Sequence, residues 1–180
     1  MIYVFLADGF EEVEAIAPID VMRRCGLSVC TVGVTGKNVT GAHAIEVVCD
    51  LTLDEFNPAD VQAVVLPGGM PGTIHLKENP VIISSVRSAY DAGKIVAAIC
   101  AAPSILGEMG LLNGKEAICF PGFEEKLAGA KLSASAVCRD GNIITAKGAG
   151  VALEFGAEIA ANFVGAEQAG QVLASMQYIR

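Results

Sequence analysis

Cys100 is the residue whose position best suits nucleophilic chemistry. It follows five apolar residues, Ile95–Ile99, that read as a buried strand, and it precedes Ala101-Ala102-Pro103, where a helix is expected to begin. Proline suits a first helical turn because its missing N–H has no intrahelical partner there. A thiol at the N-terminal end of a helix is favoured as the thiolate, so we expect a lowered pKa and a reactive sulfur.

A glycine-rich turn, Pro67-Gly68-Gly69-Met70-Pro71-Gly72, follows another apolar run, Val61–Leu66. Glycines allow backbone N–H groups to approach an oxyanion, which a carbonyl-attacking thiolate needs. Taken alone, the same sequence is also typical of a flexible loop between a strand and a helix. The strand-to-helix turn at Cys100 is similar in geometry to a nucleophile elbow, although G-x-S-x-G is absent.

Four carboxylates lie in the segment Asp8–Glu14, after the first apolar run. Acidic residues at a helix start usually complement the helix dipole, which accounts for Glu11 and Glu12. Glu14 lies on a part of the helix that can face the protein interior. A carboxyl beside a thiolate has a raised pKa and can donate or transfer a proton. Spacing alone leaves the choice between Glu14 and Glu11 open.

The strands and helices that position these residues are predicted to alternate along the sequence. We predict strands at Ile2–Ala7, Leu27–Val34, Ile45–Val48, Val61–Leu66, Ile95–Ile99, Ala117–Phe120, Ala134–Arg139 and Ile143–Ala146. We predict helices at Glu11–Arg24, Pro80–Ala92, Ala102–Met109, Val151–Val164 and Ala166–Tyr178. This order indicates a mostly parallel sheet with helices on both faces, in one α/β domain spanning residues 1–180. Ligands of such sheets bind beyond the carboxyl ends of the strands.

Composition narrows the class of protein. The 180 residues are 53% hydrophobic and carry a net charge of −8 without a basic stripe, so duplex nucleic-acid binding is not expected. No apolar run approaches the roughly 20 residues that cross a membrane. The six cysteines form no C-x-x-C pair, and no metal-ligand cluster is visible, so we expect a cytoplasmic protein with reduced thiols and neither metal nor cofactor.

Four segments together resemble the ThiJ/PfpI superfamily, most closely the branch of the parkinsonism-associated deglycase and its bacterial relatives. They are Ala7–Glu14, Val64–Gly69, Ala97–Pro103 and Thr145–Gly148, and their order matches along essentially the whole chain. The resemblance implies a flavodoxin-like three-layer sandwich and a homodimer. It implies that Cys100 is an oxidisable nucleophile and that Glu14 hydrogen-bonds it. It also implies that the backbone N–H groups of Gly69 and Ala101 form the oxyanion site, with Gly68, Phe120 and Pro121 in the pocket.

Two positions depart from the family pattern. Members of this branch often carry a histidine before the proline that follows the next strand, but here Phe120 precedes Pro121. Protease-like members place a histidine directly after the cysteine, where this chain has Ala101. The second departure argues against a peptidase.

The resemblance implies a cofactor-independent glyoxalase or deglycase that acts on a small carbonyl such as methylglyoxal or its adducts. Two other functions remain open. In one, oxidation of Cys100 to sulfenic and sulfinic acid makes the protein a redox sensor. In the other, the protein is a chaperone in which Cys100 is incidental.

Overall fold

A seven-stranded sheet forms the centre of the protein, for which a computed structural model describes residues 1–179. The strands are β1 Ile2–Leu6, β2 Val29–Gly33, β3 Asn38–Thr40, β4 Glu46–Val48, β5 Leu51–Thr52, β6 Ala63–Leu66, β7 Ile95–Ile99, β8 Glu116–Ala117, β9 Lys131–Leu132, β10 Val137–Asp140 and β11 Ile143–Ala146. The α-helices are α1 Glu12–Arg24, α2 Gly72–Glu78, α3 Pro80–Asp91, α4 Pro103–Glu108, α5 Ala152–Val164 and α6 Ala166–Ser175. Single 3-10 turns occupy Leu53–Glu55, Pro58–Asp60, Glu124–Lys126 and Ala149–Val151.

The strand order of the main sheet is β10-β11-β7-β6-β1-β2-β5. Every neighbouring pair is parallel except β10 and β11, which form an antiparallel hairpin at one edge. The chain builds outward from β1 to β2 and β5, then returns to the other side of β1 through β6 and β7. The strand order therefore reverses between β1 and β6, and such a switch point is where open parallel sheets bind ligands.

Apolar layers cover both faces of the sheet. In β1, residues Ile2, Val4 and Leu6 point into the layer formed with α1, α5 and α6. Their neighbours Tyr3 and Phe5 point into the opposite layer, formed with α2, α3 and α4. Because both faces are buried, the central strands are continuous apolar runs. The predicted mostly parallel sandwich with helices on both faces is confirmed.

Helix α1, which carries the acidic segment, packs tightly against α5. A Cβ atom on Gly156 of α5 would lie 2.7 Å from Cα of Pro18, so this position has no room for a side chain. Pro18 lies inside α1 and has no N–H to offer the carbonyl of Glu14 one turn earlier. The close helix contact holds α1 in place despite that missing hydrogen bond.

Four predictions of secondary structure need correction. The expected strand Ala117–Phe120 is wrong beyond its first residue, because the N–H of Ile118 donates to the side-chain Oγ1 of Thr145 (3.0 Å) and not to a backbone carbonyl of a strand. Helix α2 was not predicted, since the predicted turn ended at Gly72 and residues 73–78 were given no element. The last helix ends at Ser175 and not at Tyr178, and the strand predicted at Ala134–Arg139 begins only at Val137. Within residues 1–179, no helix is long and apolar enough to span a membrane.

Candidate active site

Loops from three neighbouring strands meet at the switch point of the sheet. The loop after β1 contacts the glycine turn after β6, because the N–H of Glu11 donates to the carbonyl of Gly68 (2.9 Å). The turn after β7 is tied to the end of β11, since the N–H of Cys100 donates to the carbonyl of Ala146 (2.9 Å). The three sequence segments that suggested chemistry are therefore brought together beyond the carboxyl ends of the central strands β1, β6 and β7.

Cys100 occupies a strained backbone conformation. Its φ of 65° lies in the left-handed region, which residues other than glycine rarely adopt. The strand pairing before it, the bond to Ala146 and the hydrogen bond that its own carbonyl accepts from the N–H of Phe120 (2.8 Å) hold it there. Strain of this kind concentrates at functional sites. The conformation turns the thiol toward the glycine turn, and the residue stays partly exposed while the other five cysteines are buried.

Glu14 is the acid that faces Cys100, with only 1% of its surface exposed. Its Oε2 accepts a hydrogen bond from the N–H of Gly68 (3.0 Å), and its carboxyl also interacts with the thiol and with the N–H of Ala149. A Cβ atom on Gly68 would lie 2.6 Å from Glu14 Oε2 and 2.7 Å from Cys100 Cβ. Glycine at position 68 is therefore what allows carboxyl and thiol to meet, and the geometry favours Glu14 over Glu11.

The backbone N–H groups of Gly69 and Ala101 lie near the sulfur of Cys100 and act to lower the pKa of its thiol. Gly69 adopts a φ of 89°, and its carbonyl accepts hydrogen bonds from both the N–H (2.9 Å) and the hydroxyl (2.8 Å) of Thr73 in α2. The helix that the sequence did not predict thus fixes one of the two donors. Fixed donors beside a nucleophile can also hold a negative oxygen that forms next to it.

The prediction that the Cys100 thiol has a lowered pKa is wrong. Burial, followed by the charge of Glu14, raises the pKa of Cys100 to about 12, although the N–H groups of Ala101 and Gly69 act in the opposite direction. The helix that follows, α4, has only six residues and begins three positions later, so its dipole does not offset these effects. The lowered pKa had been expected from that dipole.

Burial raises the pKa of Glu14 to about 7, against the hydrogen bonds from the thiol and from Gly68. Carboxyl and thiol therefore titrate as a pair, because two negative charges in this buried space repel one another. The pair loses one proton near neutral pH and the second only in strong alkali. Between those limits it holds one negative charge and one proton, which can move between sulfur and carboxylate.

Phe120 lies close to this pair, since its N–H donates to the carbonyl of Cys100. The Phe120 side chain is 48% exposed, and together with Pro121 and the segment 147–151 it lines an open depression. A Cβ atom on Gly148 would lie 3.3 Å from Phe120 Cδ2 and 3.8 Å from Glu14 Oε1, so the ring and the acid flank the same glycine. The family resemblance included Thr145–Gly148, but the sequence had given no role in the site to Gly148 or Ala149, because neither has a side chain with a functional group.

A second group of titratable residues lies at the start of α1. The ligand atoms of Glu11, Glu12 and His43 lie within 4.8 Å of one another, which the sequence had not suggested. The Glu12 carboxylate accepts hydrogen bonds from the His43 N–H (2.7 Å) and pairs with His43 Nδ1 (2.8 Å). Since these contacts already occupy both oxygens, Glu12 acts as the anchor of the turn that carries His43.

The sequence profile of the DJ-1/PfpI family matches residues 1–162. The chain belongs to the DJ-1/PfpI family. It is 36% identical to the Parkinson disease protein 7 homolog of Danio rerio, over 96% of this chain and 94% of that protein. It is 34% identical to the protein dj-1beta of Drosophila melanogaster, over 94% and 92% of the two chains.

Solved structures of DJ-1 superfamily proteins share the fold along nearly the entire chain. A cysteine-to-alanine mutant from Salmonella typhimurium has a TM-score of 0.93 at 34% identity, covering 99% of this chain and 98% of that one. Toxoplasma gondii DJ-1, solved in an oxidized form, has a TM-score of 0.94 at 28% identity with the same coverage. The family and fold inferred from the four sequence motifs are therefore confirmed.

Proposed function

We propose that this protein is a cofactor-independent cysteine enzyme of the glyoxalase or deglycase type, acting on methylglyoxal or its adducts. The observation that carries the proposal is the contact between the Glu14 carboxyl and the Cys100 thiol, with the N–H groups of Gly69 and Ala101 aimed at the sulfur. The arrangement supplies a nucleophile, a proton carrier and two donors for an oxyanion. Membership of the DJ-1/PfpI family supports the same assignment.

The first step is addition of the thiol to the aldehyde. Cys100 Sγ forms a bond to the aldehyde carbon while its proton passes to the Glu14 carboxylate. The carbonyl electron pair moves onto oxygen, where the N–H groups of Gly69 and Ala101 hold the negative charge. Glu14 then returns the proton to that oxygen, which gives a neutral hemithioacetal and restores the carboxylate.

Glu14 next moves a proton between the two substrate carbons. The carboxylate removes hydrogen from the carbon bound to sulfur, and the electrons pass to the neighbouring ketone to give an enediolate. Glu14 delivers the proton to the second carbon while the proton of the hemithioacetal hydroxyl passes to the oxygen of that second carbon, and the first carbon becomes the carbonyl carbon of a thioester. Water cleaves the thioester, releasing lactate and the free thiol. Methylglyoxal and water thus give lactate without an external oxidant or reductant.

Lactate formation from methylglyoxal by the purified protein tests this function. Cys100→Ser should abolish turnover, while Cys138→Ser, which changes a buried cysteine outside the site, should retain it. Because the pair loses its first proton with a pKa of about 7, kcat/KM should rise as the pH increases through that value. Equal lactate formation by wild type and Cys100→Ser would refute the proposal.

Redox sensing is a second candidate, favoured by the exposure of Cys100 relative to the five buried cysteines. Peroxide would oxidise the thiolate to a sulfenate and be reduced to water, and a second peroxide would give the sulfinate. Mass spectrometry after mild peroxide treatment should find oxidation first at Cys100. Oxidation spread evenly over all six cysteines would exclude the sensor function.

We also propose a homodimer, using the outer face of α1 and the β3–β4 hairpin. Val13, Ile16, Ile45 and Val48 are between 43% and 67% exposed, and such apolar clusters mark association surfaces. Val48→Asp should shift the sedimentation coefficient to that of a monomer. The matched change Val81→Asp, at an exposed valine of α3, should not. A monomeric wild type would contradict the dimer.

A further inference from the structure

The depression lined by Phe120, Pro121 and residues 147–151 adjoins Glu14 at Gly148, and it has an apolar wall that the reaction on methylglyoxal does not use. Phe120 forms this wall, and its ring is 48% exposed although its backbone N–H is bonded to the carbonyl of Cys100 (2.8 Å). The backbone bond holds Phe120 next to the backbone of Cys100. A large apolar side chain held half in solvent at a reactive centre gains free energy when a ligand covers it.

Gly148 keeps the space between the ring and the acid open. A Cβ atom there would approach Phe120 Cδ2 to 3.3 Å and Glu14 Oε1 to 3.8 Å. A side chain at this position would therefore press against the ring and touch the carboxyl. Glycine at position 148 keeps the space beside the ring and the acid free of a side chain.

Most of the other residues that line the depression are apolar, like Phe120. Pro121, Ala149 and Val151 contribute apolar side chains, and Gly150 contributes none. Lys147 is the charged residue of the lining, and among residues 1–179 it forms no ion pair. Its positive charge disfavours a cationic ligand. The lining thus suits a neutral, apolar group roughly the size of a ring.

We propose that this depression binds the apolar substituent of a 2-oxoaldehyde and that Phe120 selects aryl over methyl substituents. The inference rests on the proposed function, because it places the dicarbonyl at Cys100 and Glu14. A methyl group bonded to the ketone is too short to cover the Phe120 ring. A phenyl group in the same position lies against it, and contacts between aromatic rings of this kind contribute up to about tenfold in affinity.

Turnover of phenylglyoxal and methylglyoxal by wild type, Phe120→Ala and Phe163→Ala tests the assignment. Phe163 is a matched control, because it is a partly exposed phenylalanine on α5 outside the depression. Phe120→Ala should lower kcat/KM for phenylglyoxal about tenfold more than kcat/KM for methylglyoxal, mainly through KM. Phe163→Ala should change neither. An unaltered ratio in Phe120→Ala would overturn the proposal.

A binding measurement separates failure of this inference from failure of the enzymatic function. Calorimetry should show that phenylglyoxylate, a 2-oxo acid with no aldehyde to react, binds more tightly than pyruvate, and that Phe120→Ala removes the difference. If this preference is present while neither aldehyde is turned over, the enzymatic function fails and the aromatic subsite stands. If the aldehydes are turned over but phenylglyoxylate has no advantage over pyruvate, the subsite is wrong.

Discussion

Glu12 and Glu14 lie two residues apart at the start of α1, and both are buried, with 6% and 1% of their surface exposed. Their pKa values nevertheless move in opposite directions. Burial raises the pKa of Glu12, but the hydrogen bonds from the His43 ring and from the backbone at His43 and Ile45 outweigh it, so the net pKa is lowered. Burial dominates at Glu14 and raises its pKa to about 7.

The difference follows from where the helix aims each carboxylate. Residues two apart on a helix point about 200° apart, so one carboxylate faces the turn of His43 and the other faces Cys100. Glu12 meets donors that favour its charged form. Glu14 meets a thiol whose ionised form would repel it. Burial alone therefore does not make an acid suited to proton transfer. The hydrogen-bond donors and charges around a buried carboxyl decide whether it is ionised at neutral pH.

Turnover should separate the two glutamates most strongly. Glu14→Gln keeps the hydrogen bond to Gly68 but cannot carry a proton, so methylglyoxal turnover should fall by about 100-fold or more. Glu12→Gln changes a buried carboxylate that does not face the thiol, and turnover should stay within about threefold of wild type. Lactate formation at pH 8 measures both. Comparable losses in the two variants would remove the distinction between them.

The contribution of Glu14 to the stability of the protein should decrease as the pH rises. Its pKa rises from 4.5 to about 7 on folding, so the stability it contributes is complete below pH 4.5 and is lost as the pH rises through 7. The rise corresponds to about 3 kcal/mol. Urea unfolding of wild type and Glu14→Gln should therefore shift by about that amount in favour of the variant between pH 4 and pH 8.5. A difference that stays constant with pH would show that Glu14 titrates normally.

The two glutamates also show how far sequence reasoning reaches. The apolar run Ile95–Ile99 and the breakers Gly68 and Gly69 predicted the sheet and the position of the thiol, because local pattern determines both. The motif resemblance identified Glu14 where spacing had left Glu11 equally possible. The role of Glu12 could not be predicted, since its partner His43 is 31 residues away and the contact depends on how the turn folds back. The raised pKa of the thiol could not be predicted either, because it arises from burial and from a carboxylate on another element.

Glu12→Gln should destabilise the protein at neutral pH by about 2 kcal/mol, the usual loss when a charged partner of hydrogen bonds is removed. Because the folded-state pKa of Glu12 is lowered, its contribution is present above pH 4.5 and is lost as the pH falls below that value. The deficit measured by urea unfolding at pH 7 should therefore shrink at pH 3.5. A deficit of equal size at both pH values would mean that the charge of Glu12 contributes nothing.

The smallest expected effect is on the titration of His43. The hydrogen bond to Glu12, followed by the charges of Glu11 and Glu12, raises the pKa of His43 above 6.5, and any stability it adds is lost as the pH rises through that higher value. NMR should find this raised pKa in the wild type and a lower one in Glu12→Gln. Glu11 also raises the pKa of Glu14, so Glu11→Gln should lower the pKa of both groups. If only His43 responds, the two ends of the acidic segment are electrostatically independent.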